Sequence, residues 1–281
     1  MTAPTAPAPP DIDRIRSIVD VARAQGRSAL LEPEALRLLE AAGVQVPRWR
    51  AVPAGTSVQL DDLVDLPGDR VVVRAVAPGL AHKTEVGGVV VVPREPAAVE
   101  AAMRAMADRI ESVISFVIAE FVAHDSRPGG ELLVALRWTD DFGPMVAVGA
   151  GGLAAEALAS DLRPGRELAI VAPAITPSDG TLDALREAMA PRLATVPLRG
   201  QPPRLSPDRL VALVERLVAL GAVLSPAEIL EVELNPVAVT PAGPVALDVL
   251  VTLGDGRSTG RAPRPIARIG RLLAPRSIAI V

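Results

Sequence analysis

Two valine-rich runs, Arg70-Val-Val-Val-Arg-Ala-Val76 and Val86-Gly-Gly-Val-Val-Val-Val92, constrain the fold of this chain more than any other feature. Short continuous apolar runs between turn residues read as buried strands. Behind them Val99, Met103, Met106, Ile110 and Val113 recur at alternating spacings of four and three, the period of an amphipathic helix. The same mixture of elements fills the rest of the chain. A first helix is expected over 33–42, with Pro33 at its opening and Gly43 and Pro47 ending it. Strands are expected near 116–122, 131–137 and 145–149, a short helix over 153–160 and another near 182–190. Ser206-Pro207-Asp208 signals a further helix start, with Leu210, Leu213, Leu217 and Leu220 on one side. Two last strands, 230–239 and 245–251, are joined by a turn at Pro241-Ala-Gly243. The pattern is α+β, or α/β, in two lobes, the first ending near residue 115.

Composition narrows the functional classes. The formal net charge of -4 argues against a nucleic-acid partner. No apolar stretch is long enough for a membrane span, and the Pro-rich start is not a signal peptide, so no membrane partner and a cytoplasmic location are expected. Without cysteine there is no disulfide, thiol nucleophile or thiolate metal site. Lysine occurs only as Lys83 and asparagine only as Asn235. In so arginine-rich a chain, a surviving Lys or Asn points to work that its substitutes cannot do.

Both fall inside motifs. His82-Lys83-Thr84-Glu85-Val86-Gly87-Gly88 places an imidazole, which can attack phosphorus, beside an ammonium that can neutralise phosphoryl oxygens. The plain alternative is a solvated loop between two strands. Glu231-Val-Glu233-Leu-Asn235-Pro236, followed by Asp248, offers neutral and charged oxygens. If the two segments are antiparallel strands, Asn235 and Asp248 converge at one end, a donor set suited to Mg²⁺. The alternative is an Asn-Pro turn with Asp248 as an edge charge. Gly149-Ala-Gly-Gly152 before a helix offers amide N–H groups to phosphate, although such loops are often only structural. His124, beside Asp125, Ser126 and Arg127, reads as a solvated loop histidine. Two histidines this far apart build no hydrolytic triad or His-Cys metal site.

Taken in order, these motifs resemble the ATP-grasp part of the ADP-forming (NDP-forming) acyl-CoA synthetases, relatives of succinyl-CoA synthetase. The similarity runs over most of residues 28–252. It also takes in Ala29-Leu-Leu-Glu-Pro-Glu-Ala35, Val72-Val-Arg-Ala-Val-Ala-Pro78, Gly130-Glu-Leu-Leu-Val134, Asp141-Phe-Gly-Pro144 and Leu198-Arg-Gly200. The resemblance implies an ATP-grasp fold, two α+β lobes with the nucleotide cleft between them. Its implied divisions are a tail and lead-in over 1–27, a small lobe over 28–115, a large lobe over 116–252 and a linker over 253–265. Residues 266–281 resemble the start of a CoA-binding Rossmann domain, so the expectation is that the chain is a piece of a longer fused protein.

The resemblance further implies Glu233, Asn235 and Asp248 as Mg²⁺ ligands and His82 as the residue that carries phosphate. Arg74, Lys83, Glu120, Gly151 and Gly152 fall at nucleotide-binding positions for ATP or ADP. The implied reaction is acyl-CoA + ADP + phosphate = carboxylate + CoA + ATP, catalysed with a CoA-binding domain in cis or as a separate subunit; an oligomer is compatible. Four positions depart from the family pattern. Arg74 stands where a lysine is usual, and Ser160 and Asp161 where one acidic residue is expected. Gln201-Pro202-Pro203 replaces a second Arg-Gly pair, and Val249-Leu250 a basic residue. Two other readings stay open: a non-catalytic ATP-grasp module that senses nucleotide or regulates, and an ATP-dependent carboxylate–amine ligase.

Overall fold

The computed structural model describes residues 9–80, 83–152, 155, 162–163, 165–177 and 179–257. Residues 1–8, His82, most of the helix expected over 153–160 and the segment 266–281 lie outside them. Among the described residues no helix is long and apolar enough to cross a membrane.

The chain begins with two helices, α1 (Ile12–Ala24) and α2 (Glu32–Ala41). Asp11 caps α1 by accepting from Arg14 N at 3.1 Å, and Ile15, Val19 and Ala22 line its buried side. This helix falls within 1–27, where a tail and lead-in are expected. Ile12, Ile15, Ile18, Val19 and Ala22 form its apolar face, at the three-and-four spacing of an amphipathic helix.

Next comes a four-stranded antiparallel sheet of β1 (Trp49–Pro53), β2 (Arg70–Val76), β3 (Val89–Pro93) and β4 (Ser115–Glu120), ordered β1-β4-β2-β3. The helix α3 (Pro96–Ala107) follows β3. Side chains alternate across a strand, so β2 and β4 serve two cores at once. Val71, Val73, Ala75, Phe116 and Ile118 pack with Val99, Met103 and Met106 in a smaller core. Val76, Val117 and Ala119 point the other way, into the larger core that also holds α1 and α2. Arg74, two residues before Val76, shares that second face.

The larger sheet is also antiparallel, ordered β10-β8-β5-β6-β7 with β9 paired to β8. Its strands are β5 (Glu131–Thr139), β6 (Gly143–Ala150), β7 (Leu168–Val171), β8 (Ile229–Thr240), β9 (Gly243–Ala246) and β10 (Val249–Leu253). One face, carrying Leu132, Val134, Leu136, Val146, Val148, Val232 and Leu234, is fully buried. It is covered in part by α6 (Pro207–Leu224), through Leu210, Leu213, Leu217, Leu220 and Leu224. Two short helices, α4 (Thr181–Glu187) and α5 (Met189–Thr195), stand where one was expected near 182–190. The opposite face carries Glu233, Asn235 and Leu250.

Several expectations shift. The division expected near residue 115 cuts through the smaller sheet, because β4 pairs with both β1 and β2. Residues 28–44, assigned to the first lobe, pack instead into the larger core, where Leu30 N donates to Val251 O at 3.0 Å. The strand expected from Val86 starts at Val89, because Thr84–Gly88 form a turn in which Gly88 N donates to Lys83 O at 2.6 Å. The last hairpin is three strands: β9 and β10 both pair with β8 and separate at Leu247-Asp248, opposite Asn235-Pro236. Proline has no N–H to give to a ladder, so the pairing loses a donor there.

At Gly221 α6 lies close against the sheet. A Cβ on it would lie 2.7 Å from Leu136 Cδ1 and 2.8 Å from Pro144 Cβ. Gly221→Val should therefore force the helix off the sheet and destabilise the fold by about 1–3 kcal/mol. Urea unfolding followed by circular dichroism checks this; an unchanged midpoint would contradict the close packing.

Candidate functional site

The two sheets meet at a buried group of charges. Glu32 opens α2, and its side chain is 2% exposed. Its Oε1 lies 2.5 Å from Arg74 Nε of β2, an ion pair whose angle falls outside hydrogen-bond geometry. Its Oε2 accepts from Lys83 Nζ at 2.7 Å, and the same ammonium donates to Asp248 Oδ1 at 2.9 Å. Arg74 Nη1 also donates to the carbonyl of Leu247. A helix, a central strand of the small sheet, the β2–β3 turn and the β9–β10 break thus converge within hydrogen-bonding distance.

Each element explains its contribution. Strand alternation turns Arg74 toward the larger core, and Glu32 reaches it from the first turn of α2, where a carboxylate also meets the positive end of the helix dipole. Burial opposes the charge on Lys83. Coulombic attraction and hydrogen bonds from Glu32 and Asp248 together outweigh it and hold its pKa above the usual lysine value. The ammonium is therefore charged throughout neutral pH. Because the pKa is raised on folding, the associated stability is fully present below the ordinary lysine value and is lost only as pH rises through the folded one.

Asn235 and Asp248 come together as the sequence suggested. Asn235 N donates to Asp248 O at 3.2 Å, so the two residues face each other across β8 and the β9–β10 break. Glu233 is two residues before Asn235 on the same face and pairs with Leu250, diagonal to Asp248. Asn235 Oδ1 accepts from Gly152 N at 3.1 Å, and Asp248 Oδ1 also accepts from Val249 N at 2.9 Å. Among the described residues no three His, Cys, Asp or Glu form a metal cluster. Mg²⁺ does not need one: it takes one or two carboxylates and leaves its other positions to phosphate oxygens and water. An amide oxygen with a second lone pair beside a one-third-exposed carboxylate fits that donor set.

Other expected residues are placed differently. Lys83 and Arg74 are both committed to Glu32 rather than open to a phosphate, although Arg74 Nη2 is buried with no hydrogen bond among the described residues. The amides of the glycine turn are engaged too: Gly151 N donates to Glu131 O at 3.1 Å and Gly152 N to Asn235. Gly152 has φ +68, and a Cβ there would sit 1.9 Å from Glu131 Oε2, so the turn is built for close approach to Glu131. Glu120 pairs with Val71, which puts it on the α3-covered face of the small sheet, away from Arg74. His82 lies outside the described residues; Lys83 is its neighbour in the chain.

Two residues were undervalued in the sequence. Glu32 lies inside the Ala29–Ala35 motif, where the resemblance implies no role for it; only its apolar setting, Leu30-Leu-Glu-Pro33, hints at burial. His124 is not a solvated loop histidine. Its ring is 15% exposed, Nδ1 donates to Val122 O at 2.8 Å, and Nε2 is 2.8 Å from Glu131 Oε1. The Asp-Ser-Arg sequence beside it concealed that pairing.

Comparisons with known proteins bear on this geometry. A family model described as an ATP-grasp domain matches residues 21–253. Subunit beta of acetate–CoA ligase (ADP-forming) I from Pyrococcus furiosus is 28% identical over 247 residues, covering 86% of this chain and 99% of that protein. Acetate–CoA ligase (ADP-forming) I from Archaeoglobus fulgidus is 29% identical over 233 residues, 79% of this chain but 30% of that protein. The chain therefore spans less than a third of that relative. Among solved structures, dinucleotide-forming acetyl-coenzyme A synthetase 1 of Ca. Korarchaeum cryptofilum aligns with a TM-score of 0.66 at 28% identity, over 85% of this chain and 99% of that one. That structure contains coenzyme A and Mg-AMPPCP, with a phosphohistidine segment pointing towards its nucleotide-binding site.

Removing the Glu32 charge leaves two buried cations with one carboxylate fewer. Glu32→Gln should cost about 3 kcal/mol or more in urea unfolding. Glu187→Gln, which breaks the exposed pair of Glu187 with Arg166 at 2.9 Å, should cost no more than about 1 kcal/mol. Equal costs would mean that Glu32 is not the anchor described.

Proposed function

The chain belongs to the ATP-grasp domain family and has its fold, and from that membership we propose that it is the nucleotide-handling part of an ADP-forming acid–CoA ligase. The observation that carries the reading is the contact of Lys83 with Asp248. The residue that follows His82 in the chain, on the β2–β3 connection of the small sheet, meets the candidate metal ligand of the large sheet.

In this reading the nucleotide lies between the two sheets. Asn235 and Asp248, with Glu233 beside them, hold Mg²⁺, which when bound neutralises phosphate charge. Arg74, buried and paired with Glu32, adds positive charge near the phosphates without touching them. An imidazole nitrogen of His82 attacks the terminal phosphorus of ATP; the P–N bond forms, the bond to the bridging oxygen breaks and ADP leaves. A P–N bond keeps a high transfer potential, so the step reverses readily. The carried phosphate then passes to a carboxylate, and CoA displaces it from the acyl phosphate. That second half needs the CoA-binding portion, in cis or as a partner subunit. Support comes from the Pyrococcus relative, which is named as one subunit of such a ligase, and from the Korarchaeum structure, which holds Mg-AMPPCP.

The test uses the chain together with a CoA-binding partner subunit, Mg²⁺ and ATP labelled at the γ-phosphate. Acid-labile, base-stable label should appear on the wild type and vanish in His82→Ala, and Asp248→Ala should lower the labelling rate by at least about 10²-fold. Label on wild type and His82→Ala alike would refute the role of His82. Mg-ATP binding by calorimetry with no label on any protein would point instead to a nucleotide-sensing module.

A further inference from the structure

The charges at the interface balance before any metal arrives: Arg74 and Lys83 face Glu32 and Asp248, two cations against two carboxylates. We propose that Lys83, by clasping Asp248, makes this site take its divalent cation as the metal–nucleotide complex rather than as the free ion. The inference rests on the nucleotide reading above and concerns the selectivity of the same site.

The geometry supplies the reason. The Lys83 ammonium is 10% exposed and sits 2.9 Å from Asp248 Oδ1, with Glu32 behind it at 2.7 Å. It cannot be shed into water without leaving Glu32. A free dication at Asp248 would meet a fixed positive neighbour, with Glu233 a further carboxylate on the same face of the sheet. Asn235 contributes an uncharged oxygen that already accepts from Gly152. A cation arriving with nucleotide phosphates brings its own counter-charge, and the positive charge of Lys83 and Arg74 favours those phosphates at a distance while both stay paired with Glu32. The same ammonium thus penalises the bare ion and favours the complex.

Mn²⁺ is the probe, since loss of the free-ion signal in electron paramagnetic resonance reports binding without any turnover. The full chain is titrated with Mn²⁺ alone and with Mn²⁺ plus ADP, as wild type, Lys83→Met, Lys83→Arg and the double variant Lys83→Met with Asp248→Asn. Lys83→Met should bind bare Mn²⁺ about tenfold more tightly or better, because removing a fixed cation beside a carboxylate raises its affinity for another. Lys83→Arg should behave as wild type, and the double variant should return to wild-type weakness. Mn²⁺ with ADP should bind wild type no more weakly than Lys83→Met. If Lys83→Met does not fold, Lys83→Gln, which keeps a donor for Glu32, provides the same comparison. Bare Mn²⁺ binding to the variant that equals or falls below wild type, while Mn²⁺ with ADP still binds, overturns this inference alone. Failure of Mn²⁺ with ADP to bind any of the proteins overturns the nucleotide reading and this one with it.

Discussion

The carboxylate of Glu32 is the constraint on which the site depends. It is withdrawn from water at the first turn of α2 and touches both buried cations, Arg74 and Lys83. A buried charge is tolerated only with partners, and here Glu32 is the shared partner of both cations. Glu32 therefore holds the second helix, a central strand of the small sheet and the β2–β3 turn at one point. Replacing the whole set by apolar residues would cost the fold little by itself. Its value is positional: it puts the turn that follows His82 against Asp248.

The large sheet meets this anchor with a local irregularity. Pro236 has no N–H for the ladder, and the partner of β8 separates into β9 and β10 opposite it. The separation leaves Asp248 with its carboxylate one-third exposed and accepting from the next residue, Val249. Asn235, just before the proline, lies across from it and steadies the glycine turn through Gly152. A regular ladder would have turned these side chains into two more positions on a strand face. The glycine turn is reached a second way, since the Glu131 that abuts Gly152 also pairs with His124. The segment linking the two sheets and the glycine turn therefore share one set of polar contacts.

Much of this could be read in the chain. The valine runs, the four-and-three spacing through Met106 and the leucine stripe of α6 state their own periods, and the structure bears the elements out within a few residues. That Asn235 and Asp248 lie opposite each other was legible because two strands joined by a tight turn must lie antiparallel. What could not be read was commitment. Lys83, Arg74 and the two glycine amides have the right chemistry for phosphate, yet each is engaged by a group distant in sequence: Lys83 by Glu32 across 51 positions and by Asp248 across 165. Glu120 looked comparable in sequence, but register against Val71 turns it to the other face. His124 looked solvated because its neighbours are polar, while its partner Glu131 is seven residues on.

Sequence alone determined the secondary-structure periods, the mixed architecture and the donor types near the site, because those follow from local backbone geometry and side-chain chemistry. Tertiary structure decided which face of the small sheet meets the large one, that α1 and α2 join the larger core, and that Glu32 is the common partner of the only lysine and of Arg74. Those outcomes depend on desolvating charges between elements far apart in the chain. That cost is set by three-dimensional neighbours, and no local pattern encodes it.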